Sequence, residues 1–340
     1  MKKMYDGVGG LFGQMTVSCP SKERLNSVFM NQNIYGSRLD LVYEVCKQHI
    51  DEVLLQNDLL NKFRLKPAGW TLEYRPMSQD NFYAHASRAS DYGNNYEISF
   101  TVAIPAILMS IAIELDSDAE IENYSKKHLN SINDWFPHIT SIDEVDKSTI
   151  EWVLDACLLL YFHEVCHVLF GHCDYVEKNN DELRAMEMDA DFNAGSLLAL
   201  NLKGLKQSRI PNSPTETVNR VVRASFLVGV ALKALSAQSD KYHFPSVRTL
   251  HYQGGCISTL ITLGDLEDFV DETEGNEFYG TMIENEIAPL RESLRRSSLK
   301  YYAGTEVELA EDLELMKTVT VPTRDMLKDG VLKSLTIPIK

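Results

Sequence analysis

Residues 161–172 read YFHEVCHVLFGH, and the residue types that can do chemistry stand out from an apolar run. His163 and His167 are four apart, with Glu164 directly after the first. A carboxylate among Tyr161, Phe162, Val165, Val168 and Leu169 is costly unless it is paired or lies near a metal. On a helix, residues four apart differ by about 40° of rotation, so both imidazoles project from one face, one turn apart. That spacing lets two nitrogens reach one Zn²⁺ at about 2.0–2.1 Å each. Glu164 lies about 100° round the helix, placed to address a metal-bound water without taking a coordination position.

A catalytic zinc site wants a third protein ligand and an open fourth position. The segment LRAMEMDADFNAG (183–195) supplies candidates. Glu187 and Asp191 share a helix face, whereas Asp189 is rotated about 200° from Glu187 and points away. Ala190 and Ala194 are small enough on or near that face to let this helix approach the first closely. The spacing assigns Glu187 as third ligand, with Asp191 accepting from the N–H of a ligand histidine. His172 follows Gly171, which ends the helix, and is expected to brace the helix end; it is the reserve ligand. Cys166 faces elsewhere and reads as a core thiol.

Glu187 lies twenty residues after His167, and HEVCHVLFGH followed by EMDAD resembles the gluzincin metallopeptidases. Within that group HExxHxxxGH with ExxAD is most similar to CAAX-protease-like enzymes and to small soluble bacterial and phage-related forms, including ImmA/IrrE-type regulators and Lit-like phage-exclusion peptidases. The metzincin extension would need glycine at 170 and histidine at 173; Phe170 and Cys173 exclude it. The specific match covers about residues 150–200. Residues 242–248, YHFPSVR, are similar to a His-Pro…Arg element of the CAAX-protease-like group, interrupted by Phe244. The expected activity is a soluble zinc-dependent endopeptidase with one Zn²⁺ per chain. Glu164 would be the base, and His243 and Arg248 are both candidates to steady the oxyanion. The resemblance also implies that an edge strand, here YEISFTVAI (96–104), pairs with an extended substrate. Two alternatives are a catalytically weak regulatory or sensor protein on the same fold and a membrane-associated CAAX-protease-like peptidase.

The elements that must position these residues follow from pattern. Apolar spacing predicts a helix over Ser37–Phe63, and extended segments over 70–75, 81–88 and 96–104. Pro105 should open a helix through Glu114. Further helices are predicted near 149–170, 181–202 and 218–237, with mostly helix after His251. EVELAEDLEL (306–315) reads as a solvated helix face. Strands early and helices late indicate an α+β chain. The expected architecture is zincin-like: a small N-terminal antiparallel sheet packed on the active-site helix, then a mostly helical C-terminal part. The division expected is a helical extension over 1–66, a peptidase core over 67–250 and a C-terminal extension over 251–340.

Composition narrows the setting. At 340 residues and 44% hydrophobic, the chain has ample material for a core. A net charge of −16 argues against nucleic acid or an anionic membrane surface as general partner. The six cysteines form no CxxC pair, which favours a reducing cytosol. The opening residues show no signal-peptide pattern, and the apolar run 98–113 is short for a membrane span and contains Pro105. These readings point to a cytoplasmic enzyme acting on a specific protein, without stable membrane insertion.

Overall fold

The computed structural model describes residues 70–77, 82–89, 94–101, 103–116, 147–176, 178–203, 213–235, 242–297, 299–302 and 305–336. The expected helix over 37–63, most of the acidic segment 116–149, and His49, His128 and His138 lie outside the described residues. Three strands come first: β1 (Trp70–Met77), β2 (Ala84–Arg88) and β3 (Asn94–Thr101). Helices follow: α1 (Ala103–Asp116), α2 (Lys147–Leu169), α3 (Asn180–Leu202), α4 (Pro214–Leu235), α5 (Pro245–Thr262) and α6 (Glu272–Arg296). A short 3₁₀ turn (Lys300–Tyr302) leads to α7 (Glu306–Leu315), a π-helical turn (Met316–Thr320), α8 (Val321–Asp329) and α9 (Val331–Leu335). The class is α+β and mostly helical.

The sheet is mixed, not antiparallel as expected. Its order is β1-β3-β2, with β2 antiparallel and β1 parallel to β3. The link after β1 carries the chain past the neighbouring position, so that β3 returns to fill it. Consequently β3 is the central strand, and its backbone groups are used on both sides. The expectation that YEISFTVAI is the docking edge is therefore corrected: among the described residues, β2 is the edge beside the site. Tyr83 O accepts from Thr101 N–H, and Ala89 N–H donates to Asn95 O. With the register Ala84↔Phe100 through Arg88↔Tyr96, alternation turns the N–H and C=O of Ala84, Ala86 and Arg88 away from β3.

Helix α2 is the hub. It is apolar on nearly every face because it is covered on nearly every face, with Val153, Ala156, Leu158, Leu159 and Phe162 fully buried. By length and composition Ser148–Leu169 could cross a membrane, yet 89% of its most apolar stretch is buried inside the protein. Gly171, at φ 75°, ends it by adopting the left-handed conformation. Helix α3 starts on a capping box: Asn179 Oδ1 accepts from Glu182 N–H, and Glu182 Oε2 accepts from Asn179 N–H.

Helices α3 and α5 interlock through two glycines. A Cβ on Gly195 would stand 1.9 Å from Tyr252 O, and one on Gly255 would stand 1.8 Å from Phe192 O. Each helix thus presses a bare backbone position against the other's carbonyl. Residue 250, the expected domain boundary, falls inside α5, where Leu250 is buried. Helix α7 also departs from its reading as a solvated face, because Leu309, Asp312 and Leu313 are buried.

Candidate metal centre

Helix α2 presents His163 and His167 one turn apart, and α3 crosses it to present Glu187. His163 Nε2 lies 3.1 Å from His167 Nε2 and 3.3 Å from Glu187 Oε2. His167 Nε2 lies 3.4 Å from Glu187 Oε1. Ligand atoms about 2.0–2.1 Å from a tetrahedral ion are separated from one another by about 3.3 Å. The two imidazole nitrogens, and each nitrogen with its own Glu187 oxygen, therefore stand at the edge lengths of a zinc-sized tetrahedron, and the three residues are the one such group among the described residues. Two nitrogens and a carboxylate make a donor set suited to zinc.

Behind the triangle stands Asp191, fully buried. Its Oδ1 lies 2.8 Å from His163 Nδ1, close but not in line with the ring N–H. That places the His163 proton on Nδ1 and leaves Nε2 for the metal side. From α5, Arg248 grips Asp191 with two bonds, Nε to Oδ2 at 2.7 Å and Nη2 to Oδ1 at 2.8 Å. Nη2 also reaches Glu187 Oε2 at 3.5 Å. Arg248 is thus committed to the two carboxylates, which it keeps ionised and aimed.

The electrostatics fit a cation at the centre. Burial would raise Glu187, but His167, His163 and Arg248 outweigh it and bring its carboxyl down to about 2. Burial by itself would lower His163, yet Asp191 and Glu187 raise it to about 10. In the metal-free protein a proton on His163 thus supplies the positive charge that the carboxylates demand. His167 is driven down to about 3, chiefly by burial, and stays neutral. Its Nδ1 meets His172 Nδ1 at 3.0 Å, so His172 braces a ligand rather than joining the triangle.

Glu164 is buried and pushed up to about 7, by burial first. Glu187 raises it further, while His163 and a hydrogen bond from the Ala86 backbone pull it down. A carboxylate poised near neutrality suits a group that must both take and give a proton. Ala86 closes the contact from its other side, its carbonyl accepting from Cys173 Sγ at 3.6 Å. Edge strand β2 is thereby fixed over the end of α2. Tyr96 Oη to Asp174 Oδ2 at 2.6 Å and Arg88 to Asp174 at 3.3 Å hold the sheet to the loop after α2.

A cleft of about 550 Å³ opens over this group, lined by β2, α2, α3 and the lead-in to α5. His243 sits in its wall. Nδ1 of His243 pairs with Asp312 Oδ1 at 2.7 Å, and Asp312 Oδ2 accepts from Phe244 N–H at 2.6 Å. The buried His243 Nε2 has no hydrogen-bond partner among the described residues. Tyr242 and Tyr83, 46% and 40% exposed, stand at the mouth. Glu187 foremost raises the Tyr242 hydroxyl, and burial then Glu164 raise that of Tyr83. The sequence pointed to all eight predicted site residues, and all eight line this centre or back it. It missed Ala86, Tyr83, Tyr242 and Asp312. Tyr242 lay next to His243 in the quoted segment, whereas Asp312 carried no signal.

Comparison with protein-family models, curated proteins and solved structures gives no match.

Proposed function

We propose that the protein is a soluble zinc-dependent endopeptidase of gluzincin type. The observation that carries the reading is the convergence of His163, His167 and Glu187 at tetrahedral spacing beside the buried Glu164. His163 Nε2, His167 Nε2 and the Glu187 carboxylate would hold the ion. When bound, zinc supplies Lewis acidity and brings the pKa of a water from 15.7 toward about 7. Glu164 accepts the proton of the attacking water and passes it to the leaving amine. His243, held in the cleft wall by Asp312, is the first candidate donor to the developing oxyanion, with the Tyr242 hydroxyl at the mouth as the second. Arg248 serves by holding Asp191 and Glu187. The outward N–H and C=O of Ala84 offer an extended peptide a place to pair on β2.

The substrate we infer is a specific cytosolic protein. The negative chain charge, and Cys166, Cys173 and Cys256, which form no disulfide among the described residues, support a cytoplasmic setting. The test expresses wild type and Glu164→Gln in cells and compares new protein termini by mass spectrometry. One or a few sites, present only with the wild type, are expected. Equal cleavage by Glu164→Gln would refute the mechanism; broad cleavage would refute the specificity; no cleavage by either would favour a regulatory binding protein.

A further inference from the structure

The two ligand histidines are supported differently. His163 has a carboxylate at its Nδ1, whereas His167 has another imidazole. For His167 Nε2 to offer a lone pair to a metal, its proton must sit on Nδ1, which then donates to His172 Nδ1 at 3.0 Å. The His172 proton is thereby placed on Nε2. That atom is enclosed and faces Asp189 Oδ2 at 3.9 Å, equally enclosed; neither has a hydrogen-bond partner among the described residues. The other oxygen, Asp189 Oδ1, accepts from Lys328 Nζ at 3.0 Å. A polar chain therefore runs from His167 through His172 and Asp189 to α8, outside the triangle and from far along the sequence.

The surroundings hold this chain in register. Lys178 Nζ donates to His172 O at 2.7 Å. Thr336 Oγ1 donates to Phe170 O at 3.4 Å, and Lys328 Nζ stands 5.7 Å from the Phe170 ring centre. Gly171 is closed over by Leu335: a Cβ there would stand 2.4 Å from Leu335 Cβ. The turn that delivers His172 is thus covered by the C-terminal segment Val321–Thr336.

We propose that Asp189 and Lys328, acting through His172, are positioning residues that set the tautomer and ring orientation of His167, making α8 and α9 part of the metal site. The inference rests on the zinc reading above. Outer partners of ligating histidines are worth about 10–100-fold in metal affinity.

The test uses the full chain and zinc alone. Zinc affinity is measured by chelator competition, and the histidine tautomers by ¹⁵N chemical shifts of the zinc-loaded protein. Lys328, 45% exposed in its side chain, can be replaced without disturbing the core. Lys328→Met should weaken zinc several-fold and Asp189→Asn by about tenfold or more. Both should shift the His167 Nδ1 signal, and Lys328→Arg should restore the wild-type values. Leaving the buried Asp189 without Lys328 also costs stability, so the His167 tautomer signal of the zinc-loaded protein, which a merely structural role would not move, separates positioning from folding. Wild-type affinity and unchanged His167 shifts in both variants would overturn this inference alone. A wild-type chain that takes up no zinc would bring down the metal reading and this inference with it.

Discussion

Substituting Gly255 by alanine should damage the site without touching any residue of it. The new Cβ would fall 1.8 Å from Phe192 O, whereas real Cβ contacts essentially never fall below 3.0 Å. Helices α3 and α5 must therefore part by about 1.2 Å, the difference between these two distances. Phe192 adjoins Asp191, and Gly255 is two turns beyond Arg248 on the same helix. The 2.7 and 2.8 Å bonds between Arg248 and Asp191 would stretch beyond hydrogen-bond range. Overpacking costs about 1–3 kcal/mol, and breaking a buried ion pair about 3–5 kcal/mol. Alanine's better helix propensity returns about 1 kcal/mol. A net loss of about 3–7 kcal/mol is expected, read as a lowered urea midpoint of the metal-free protein. Gly254→Ala is the control, because its Cβ would meet only the Phe192 ring at 3.6 and 3.8 Å, ordinary contact. It should be neutral or stabilising by up to about 1 kcal/mol. If Gly255→Ala is as stable as Gly254→Ala, the interlock does not set the helix spacing and the reasoning fails.

Zinc uptake should be strongly pH-dependent. The His163 pKa is raised from 6.5 to about 10 in the metal-free protein, so its stabilising contribution is complete below about 6.5 and is lost as pH rises through about 10. Zinc must displace that proton, so apparent affinity should tighten about tenfold per pH unit within this window. Chelator competition at several pH values checks it, and a flat profile would refute the protonated His163. At the oxyanion position, His243→Asn should retain zinc and lose about 100-fold or more in kcat. Asp312→Asn should lose less, by misorienting the ring. Unchanged kcat in His243→Asn would move the role to Tyr242.

Much of the centre was legible because helical periodicity is local. The i, i+4 spacing of His163 with His167 and of Glu187 with Asp191 fixes a shared face before any tertiary structure is known. The helices carrying them also appeared close to their observed limits, 149–170 against Lys147–Leu169 and 181–202 against Asn180–Leu202. Sheet order was not legible. Alternation tells which side chains share a face but not which strand lies beside which, so the insertion of β3 between β1 and β2 made the wrong strand the edge. The pairings of His243 with Asp312 and of Asp189 with Lys328 span 69 and 139 residues. Only helix packing brings them together. Asp189 shows the limit most plainly: its rotation away from Glu187 is what turns it toward His172.

The central claim is that His163, His167 and Glu187 hold one zinc ion. X-ray absorption at the zinc edge on the purified protein, beside Glu187→Ala, measures this directly. The account predicts about one zinc per chain, with two nitrogen ligands at about 2.0–2.1 Å and oxygen completing four-coordination. Glu187→Ala should lose the bound ion. No zinc in the wild type, or the same coordination shell in Glu187→Ala, would contradict it.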